Sequence, residues 1–530
     1  MLSKADRRTR HLTAAHHFEA AGEDELAGLV AAHYVEALAA TPAGPDADAL
    51  AARARDALGQ AAERATDLGS PMQALGFAEQ ALAITPTGHE RADLLGQAAD
   101  AARDALRRED TLAYLREAVQ VLGALDNVDE EVATMGVLAS ALGDQNQLDE
   151  LRTLVERMHE RLGEGGDDLA RAELHHAVAI VRYFDGDYEA CLASIELALP
   201  GFEGTRARDR FRKTIGEKTA VLGMVGRVRE ARLLIRGRLA LATEENDLRE
   251  MSAALGSAAL WNPEIVEAVD GFMEAAAVAR RGGYGESEMG ALANGLEAAV
   301  EAGAWEVADR IIEDLRGRSD VPQAVLDTLA LGAALLAAYR GDAAGAAGAL
   351  ARVSSETLSS PDPQIRAWVR RARAVLLLMG GDVDEACREA RGAIEEDPSG
   401  LNVPLAVWTA GRAALWLCDP TEARAVVDAA RDPEGGWAAA SKRSYEAGIA
   451  ALEGRAREAA ATYEVLLRGR LAAGDRFAHA QVVTDMVAVL PPEHIPEEAV
   501  EAARSYLQEI GAVPLLARLT RSDVPAASER

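Results

Sequence analysis

A glycine recurs along this chain ahead of the same short pattern of small residues, at a nearly constant interval. Gly69 is followed by Pro71, Ala74, Ala78, Ala81 and Pro86. The same frame fits Gly186 with Tyr188, Cys191, Ile195 and Ala198, Gly226 with Val228, Ala231 and Ile235, and Gly303 with Trp305, Ala308, Ile312 and Leu315. It fits Gly341 with Ala343, Ala346 and Leu350, Gly381 with Val383, Ala386, Ala390, Ala393 and Pro398, and Gly454 with Ala456, Ala459 and Tyr463. Gly69 and Gly454 are 385 residues apart, and ten steps of 38.5 residues span that distance. Weaker units near Leu106, Asn146, Asn262 and Cys418 fill the gaps.

Each position has a physical reason. Glycine lets the chain reverse between two helices. The small residue five places on lets the second helix approach the first. Positions five, nine and twelve after the glycine share one helical face, because they differ by four and three. A later proline ends the second helix. Ala is roughly a fifth of the 530 residues and favours helix. Sustained alternating strand patterns are absent. No such hairpin can bury its apolar face alone, so the pattern predicts stacking into a superhelix. The expected fold is all-α: a right-handed α-solenoid of about eleven hairpins.

The pattern resembles the tetratricopeptide repeat, a 34-residue helical hairpin with a glycine, small alanine positions, a bulky position and a terminal proline. The resemblance covers about residues 60 to 470, with a period here some four residues longer. It implies a protein-interaction platform. The two ends resemble a narrower group. Arg7, Arg8, His11, Leu12, Asp24, Glu25, Leu26 and the run Ala32-His33-Tyr34, with the C-terminal segment Ala503 to Leu519, are similar to the helical arm of bacterial signalling ATPases that often begin with a class III adenylate/guanylate cyclase domain. That resemblance implies a sensor arm acting on a P-loop ATPase or cyclase, or on its target. The chain contains no G-x-x-x-x-G-K-[ST] loop, and Gly216-Glu217-Lys218 lacks the preceding glycine. The resemblance therefore carries no ATPase or cyclase activity to these residues, and no cofactor is expected. The chain is read either as a stand-alone arm or as the C-terminal fragment of a fused regulator. The expected division is an N-terminal helical cap over 1–60, a repeat array over 61–489, C-terminal capping helices over 490–522 and a frayed tail over 523–530. Bends are expected near Gly163, Gly282-Gly283 and Pro433-Glu434-Gly435-Gly436.

Charge narrows the partners. There are 56 basic and 86 acidic residues, a net charge of −30, which disfavours wholesale nucleic-acid binding. Against that background, residues 206 to 238 hold eleven basic and three acidic side chains. Arg206, Arg210 and Lys213 form one helical stripe, and Arg229, Arg232 and Arg236 another. Arg366, Arg370 and Arg373 make a third. Arg binds carboxylate or phosphate with a planar fork, so these nine residues are the candidate site for an acidic partner or a small anionic effector. The competing reading is a solvated face whose charges pair with acids of neighbouring repeats.

Other constellations read as packing. His11, His16, His17 and His33, and the adjacent His175 and His176, lack metal-ligand spacing. Cys191, Cys387 and Cys418 are sparse and behave as small hydrophobes, consistent with a reducing cytoplasm. The six tryptophans, Trp261, Trp305, Trp368, Trp408, Trp416 and Trp437, all lie from residue 261 onward. They are read as core between repeats, with an aromatic-lined ligand groove as the alternative. No apolar leader segment and no membrane-spanning run is expected.

Overall fold

A computed structural model describes residues 3–22, 24–203, 207–319, 321–398, 403–429 and 436–519. Among them the chain forms 28 α-helices and no strand. The helices pack as successive antiparallel hairpins in a tetratricopeptide-like α-solenoid.

Eleven hairpins run from Pro45 to Ala472, turning at Gly69, Leu106, Asn146, Gly186, Gly226, Asn262, Gly303, Gly341, Gly381, Cys418 and Gly454. Every glycine of this series has positive φ, between 65° and 94°. Leu106, Asn146 and Cys418 take the same left-handed conformation, with φ of 60°, 56° and 56°, although each carries a Cβ. At every turn but Asn262, where Pro263 has no N–H to give, the following residue closes the turn with a backbone N–H to a carbonyl five residues back, as in Ser70 to Ala65 (2.8 Å), Arg107 to Ala102 (2.8 Å) and Asp419 to Ala414 (3.1 Å). That bond caps the first helix and aims the chain back along it. The small positions Ala74, Ala231, Ala308, Ala386 and Ala459 are each at most 2% exposed at the helix contact, and Tyr188 is buried beside its turn.

The helix Pro45–Asp67 runs through residue 60, so the expected boundary of the N-terminal cap falls inside the first helix of the array. At the other end Arg476–Val489 packs against Glu497–Ile510 and Val513–Leu519, joining residues on both sides of 489 into one unit. The expected tail and the expected bend at Pro433 to Gly435 lie outside the described residues.

The superhelix is wound tightly enough for its turns to touch. Gly69, at the first hairpin turn, lies against Gly283 at the entry to the seventh hairpin, and a Cβ on Gly283 would overlap the Gly69 carbonyl. Arg249 pairs with Asp104 (3.0 Å for one of two bonds) and lies 4.1 Å from the Tyr284 ring centroid. Arg108 reaches Glu286 at 3.3 Å. Further along, Tyr183 donates to Gln364 (3.3 Å) and Tyr188 to Asp397 (3.2 Å). Trp305 packs edge-on to Phe477 at 5.6 Å, and Gly341 sits under Val513 and Pro514. Each contact joins the turn edge of one hairpin to the opposite edge of a unit about five places on. Stacked repeats ordinarily touch only their neighbours; here the coil also rests on itself.

Candidate functional site

Tight winding leaves a cavity along the axis. It has a volume of 990 Å³ and is lined by the first helix of nine consecutive hairpins, the third through the eleventh. Ile180, Phe184, Met224, Leu260, Phe272 and Trp368 supply much of its apolar wall. The Trp261 ring lies against Gly223, where any Cβ would collide with it. The indole N–H groups of Trp261 and Trp368 are shut from solvent and have no acceptor among the described residues. No group of three or more metal-ligating side chains occurs among those residues.

Most charged groups on and behind the wall are held in pairs. Arg210 Nε donates to Glu173 Oε1 at 2.6 Å, and its other nitrogens reach Ser140 Oγ (3.1 Å) and His176 Nδ1 (3.0 Å). Because Nδ1 accepts, Nε2 of the fully buried His176 carries the proton and donates to Glu217 at 2.5 Å. Lys213 pairs with Asp144 at 3.1 Å. Burial alone would raise the Glu217 carboxyl, but His176, Lys213 and Arg210 outweigh it and hold the group down at about 2. Across the cavity, Arg371 is fully buried and pairs with Glu297 and Glu301. Burial there wins over Arg371 and raises the Glu301 carboxyl. Deeper in the same half, Arg412 Nε donates to Asp485 at 2.9 Å, Trp416 donates to the same carboxylate at 3.0 Å, and Arg412 and Asp485 are 1% and 0% exposed. Trp408 donates to Gln481 at 3.1 Å and lies under the Arg412 guanidinium.

The basic stripes do not converge on one site. Arg206 lies outside the described residues. Arg210 and Lys213 are spent on Glu173 and Asp144. Arg366 donates to Glu396 at 2.8 Å and Arg370 to Glu389 at 3.1 Å, while Arg373 is exposed. On the helix Val228–Glu245, Arg229 and Arg236 are exposed, and Arg232 is half-buried and lines the cavity. Many surface pairs span one repeat, such as Arg116 with Glu150, Arg152 with Asp185 and Arg476 with Glu509. The charges that sequence reasoning missed are the buried ones: Arg371, Arg412 and Asp485. The glycine frame covers second-helix positions only, so nothing in it marks these charges, which lie on Pro363–Gly380, Val403–Trp416 and Arg476–Val489.

No protein-family model matches the chain, and no curated protein does. Among solved structures, a Rap protein complexed with competence and sporulation factor is 12% identical, with a TM-score of 0.40, over 59% of this chain and 96% of that one. The APC/C hetero-tetramer Cut9–Hcn1 is 13% identical, with a TM-score of 0.42, over 89% and 98%. The helical-repeat assignment rests on the chain's own hairpins.

Several remaining candidates have structural roles. Trp305 and Trp408 are buried in the core, and the Trp437 side chain lies outside what is described. Burial pushes the Cys191 and Cys387 thiols up to about 12, too high for a thiolate at neutral pH. His11 and His33 meet at 3.0 Å, and His33 stacks on Phe18. No described helix is long and apolar enough to cross a membrane.

Proposed function

We propose that the chain is a non-catalytic interaction and sensor arm whose axial cavity receives an effector and which regulates a signalling ATPase or its target. The observation that carries this is the cavity itself. Nine hairpins from both superhelical turns line it, so a ligand there touches both and biases how tightly they close. Binding free energy that differs between closed and loosened coils shifts that equilibrium. The regulatory target rests on the likeness of the two chain ends to signalling ATPases, carried by Arg7, Arg8, His11 and the Ala503 to Leu519 segment.

Gly290 gives a way to test both parts. It faces the cavity on the helix Gly285–Glu301, and a Cβ there would meet nothing within 4 Å, so Gly290→Phe brings a ring to the cavity from a position whose Cβ has room. The tagged chain should recover a P-loop ATPase or cyclase from the cytosol of its own source in stoichiometric amount, and the filled variant should recover it with altered ATPase activity. Recovery of no ATPase, and of no longer native product bearing this sequence, overturns the regulatory reading. Identical activity with the filled variant overturns the role of the cavity.

A further inference from the structure

The charge count on the cavity wall has a remainder. Among the described residues, each carboxylate on the wall is already engaged: Asp144 by Lys213, Glu217 by His176, and Glu297 and Glu301 by Arg371. Asp362 caps the helix Pro363–Gly380 by accepting from the Gln364 N–H at 2.8 Å. Of the cations, Lys213 is paired and Lys442 has a partner. Arg232 has neither an ion pair nor a hydrogen bond among the described residues, although it is half-buried at an apolar wall. An uncompensated guanidinium beside apolar surface is a poor resting state and a ready anion receptor.

We infer that the axial cavity binds a singly charged amphipathic anion, a carboxylate or sulfonate on an apolar body, with its head on Arg232. This rests on the cavity reading above and specifies its ligand. The size fits: pockets for drug-sized ligands run from about 300 to 1,000 Å³. Phe184, Met224, Leu260 and Trp368 offer an apolar bed for the body. A nucleotide triphosphate is disfavoured, since several adjacent negative charges would face one unmatched cation. A simple inorganic anion would leave the apolar wall wet.

The test compares two probes of similar shape, anilinonaphthalene sulfonate and neutral phenylnaphthylamine, titrated into the full chain by fluorescence and calorimetry. Both should occupy a single site, with the anion bound about tenfold more tightly, as one charge-assisted contact implies. Arg232→Gln should remove that advantage and leave the neutral probe unchanged. Arg232→Lys should retain most of it, and Arg236→Gln, on the exposed part of the same helix, should change neither. Equal affinity for the two probes in the unmodified chain, or an unaltered preference in Arg232→Gln, overturns the inference while leaving the cavity reading intact. Failure of both probes to bind, or binding that Gly290→Phe does not block, overturns the cavity reading itself.

Discussion

The two halves of the chain are built from the same hairpin but joined differently. From Ala259 to Leu519 nearly all the buried apolar residues form one continuous cluster. Before Ala259 they fall into four separate clusters among the described residues. Large rings account for the difference. Trp305, Tyr339 and Phe477 meet at 5.4 to 6.1 Å, so the seventh and eighth hairpins share an apolar joint with the last helices. In the first half the joints between superhelical turns are chiefly backbone contacts and ion pairs, at Gly69 with Gly283 and Asp104 with Arg249, with the Leu106 side chain also resting on the C-terminal cluster beside Gly285. Apolar joints fuse neighbouring cores into one cooperative body, whereas polar joints leave them as stacked units. The second half also carries every tryptophan, so fluorescence reports mainly on that body, with Trp261, which packs on the fifth hairpin beside Gly223, reporting on the junction.

The largest expected effect comes from breaking the buried pair in the fused half. Asp485→Ala strands Arg412, and should cost about 3–5 kcal/mol, read as a fall in the urea midpoint by tryptophan fluorescence. Hydrogen exchange over the first five hairpins should stay unchanged; a parallel loss there would show that the halves unfold together. Next is Gly283→Ala, which needs a left-handed φ of 70° and space occupied by the Gly69 carbonyl. It should cost about 1–3 kcal/mol, with faster exchange at both turns and a larger radius in solution scattering.

Acid should separate the halves by sign. The Glu217 pKa is depressed in the fold, so its contribution is complete above the usual glutamate value of 4.5 and is lost as pH falls toward about 2. The carboxyls of Asp485 and Glu301 are raised by burial despite Arg412 and Arg371. Acid therefore favours their folded, protonated forms. Between pH 5 and pH 3 the third to fifth hairpins should lose protection relative to the C-terminal body, and Glu217→Gln should remove much of the difference; equal losses would contradict the assignment. The smallest effect belongs to Arg476→Ala. Its pair with Glu509 is more than half exposed on both sides, so melting should change by less than about 0.5 kcal/mol.

The hairpins were legible because a left-handed turn selects glycine so strongly that its recurrence is visible without any alignment. Leu106 and Cys418 were faint for the complementary reason: packing holds a side-chain-bearing residue in the same conformation, and no composition signal marks it. The stripe at Arg210 and Lys213 was visible as charge, but its partners sit one repeat away on neighbouring helices, which spacing within a helix does not reveal. The contacts between superhelical turns left no local trace. They arise from a small rotation per hairpin summed over five hairpins, and no single residue encodes that sum. The cavity was illegible with them, since its wall is assembled from nine distant segments.

The contact of each hairpin with a unit about five places on has an evolutionary consequence. Open repeat arrays can gain or lose a unit by recombination, because every surviving junction looks as it did before. Here a single excision would bring each edge onto the wrong partner along the whole coil, setting Gly69 against a side chain and Asp104 away from Arg249. Unit number and sequence must therefore change together, and such a gene is expected to diverge by substitution within its hairpins rather than by duplicating or dropping them.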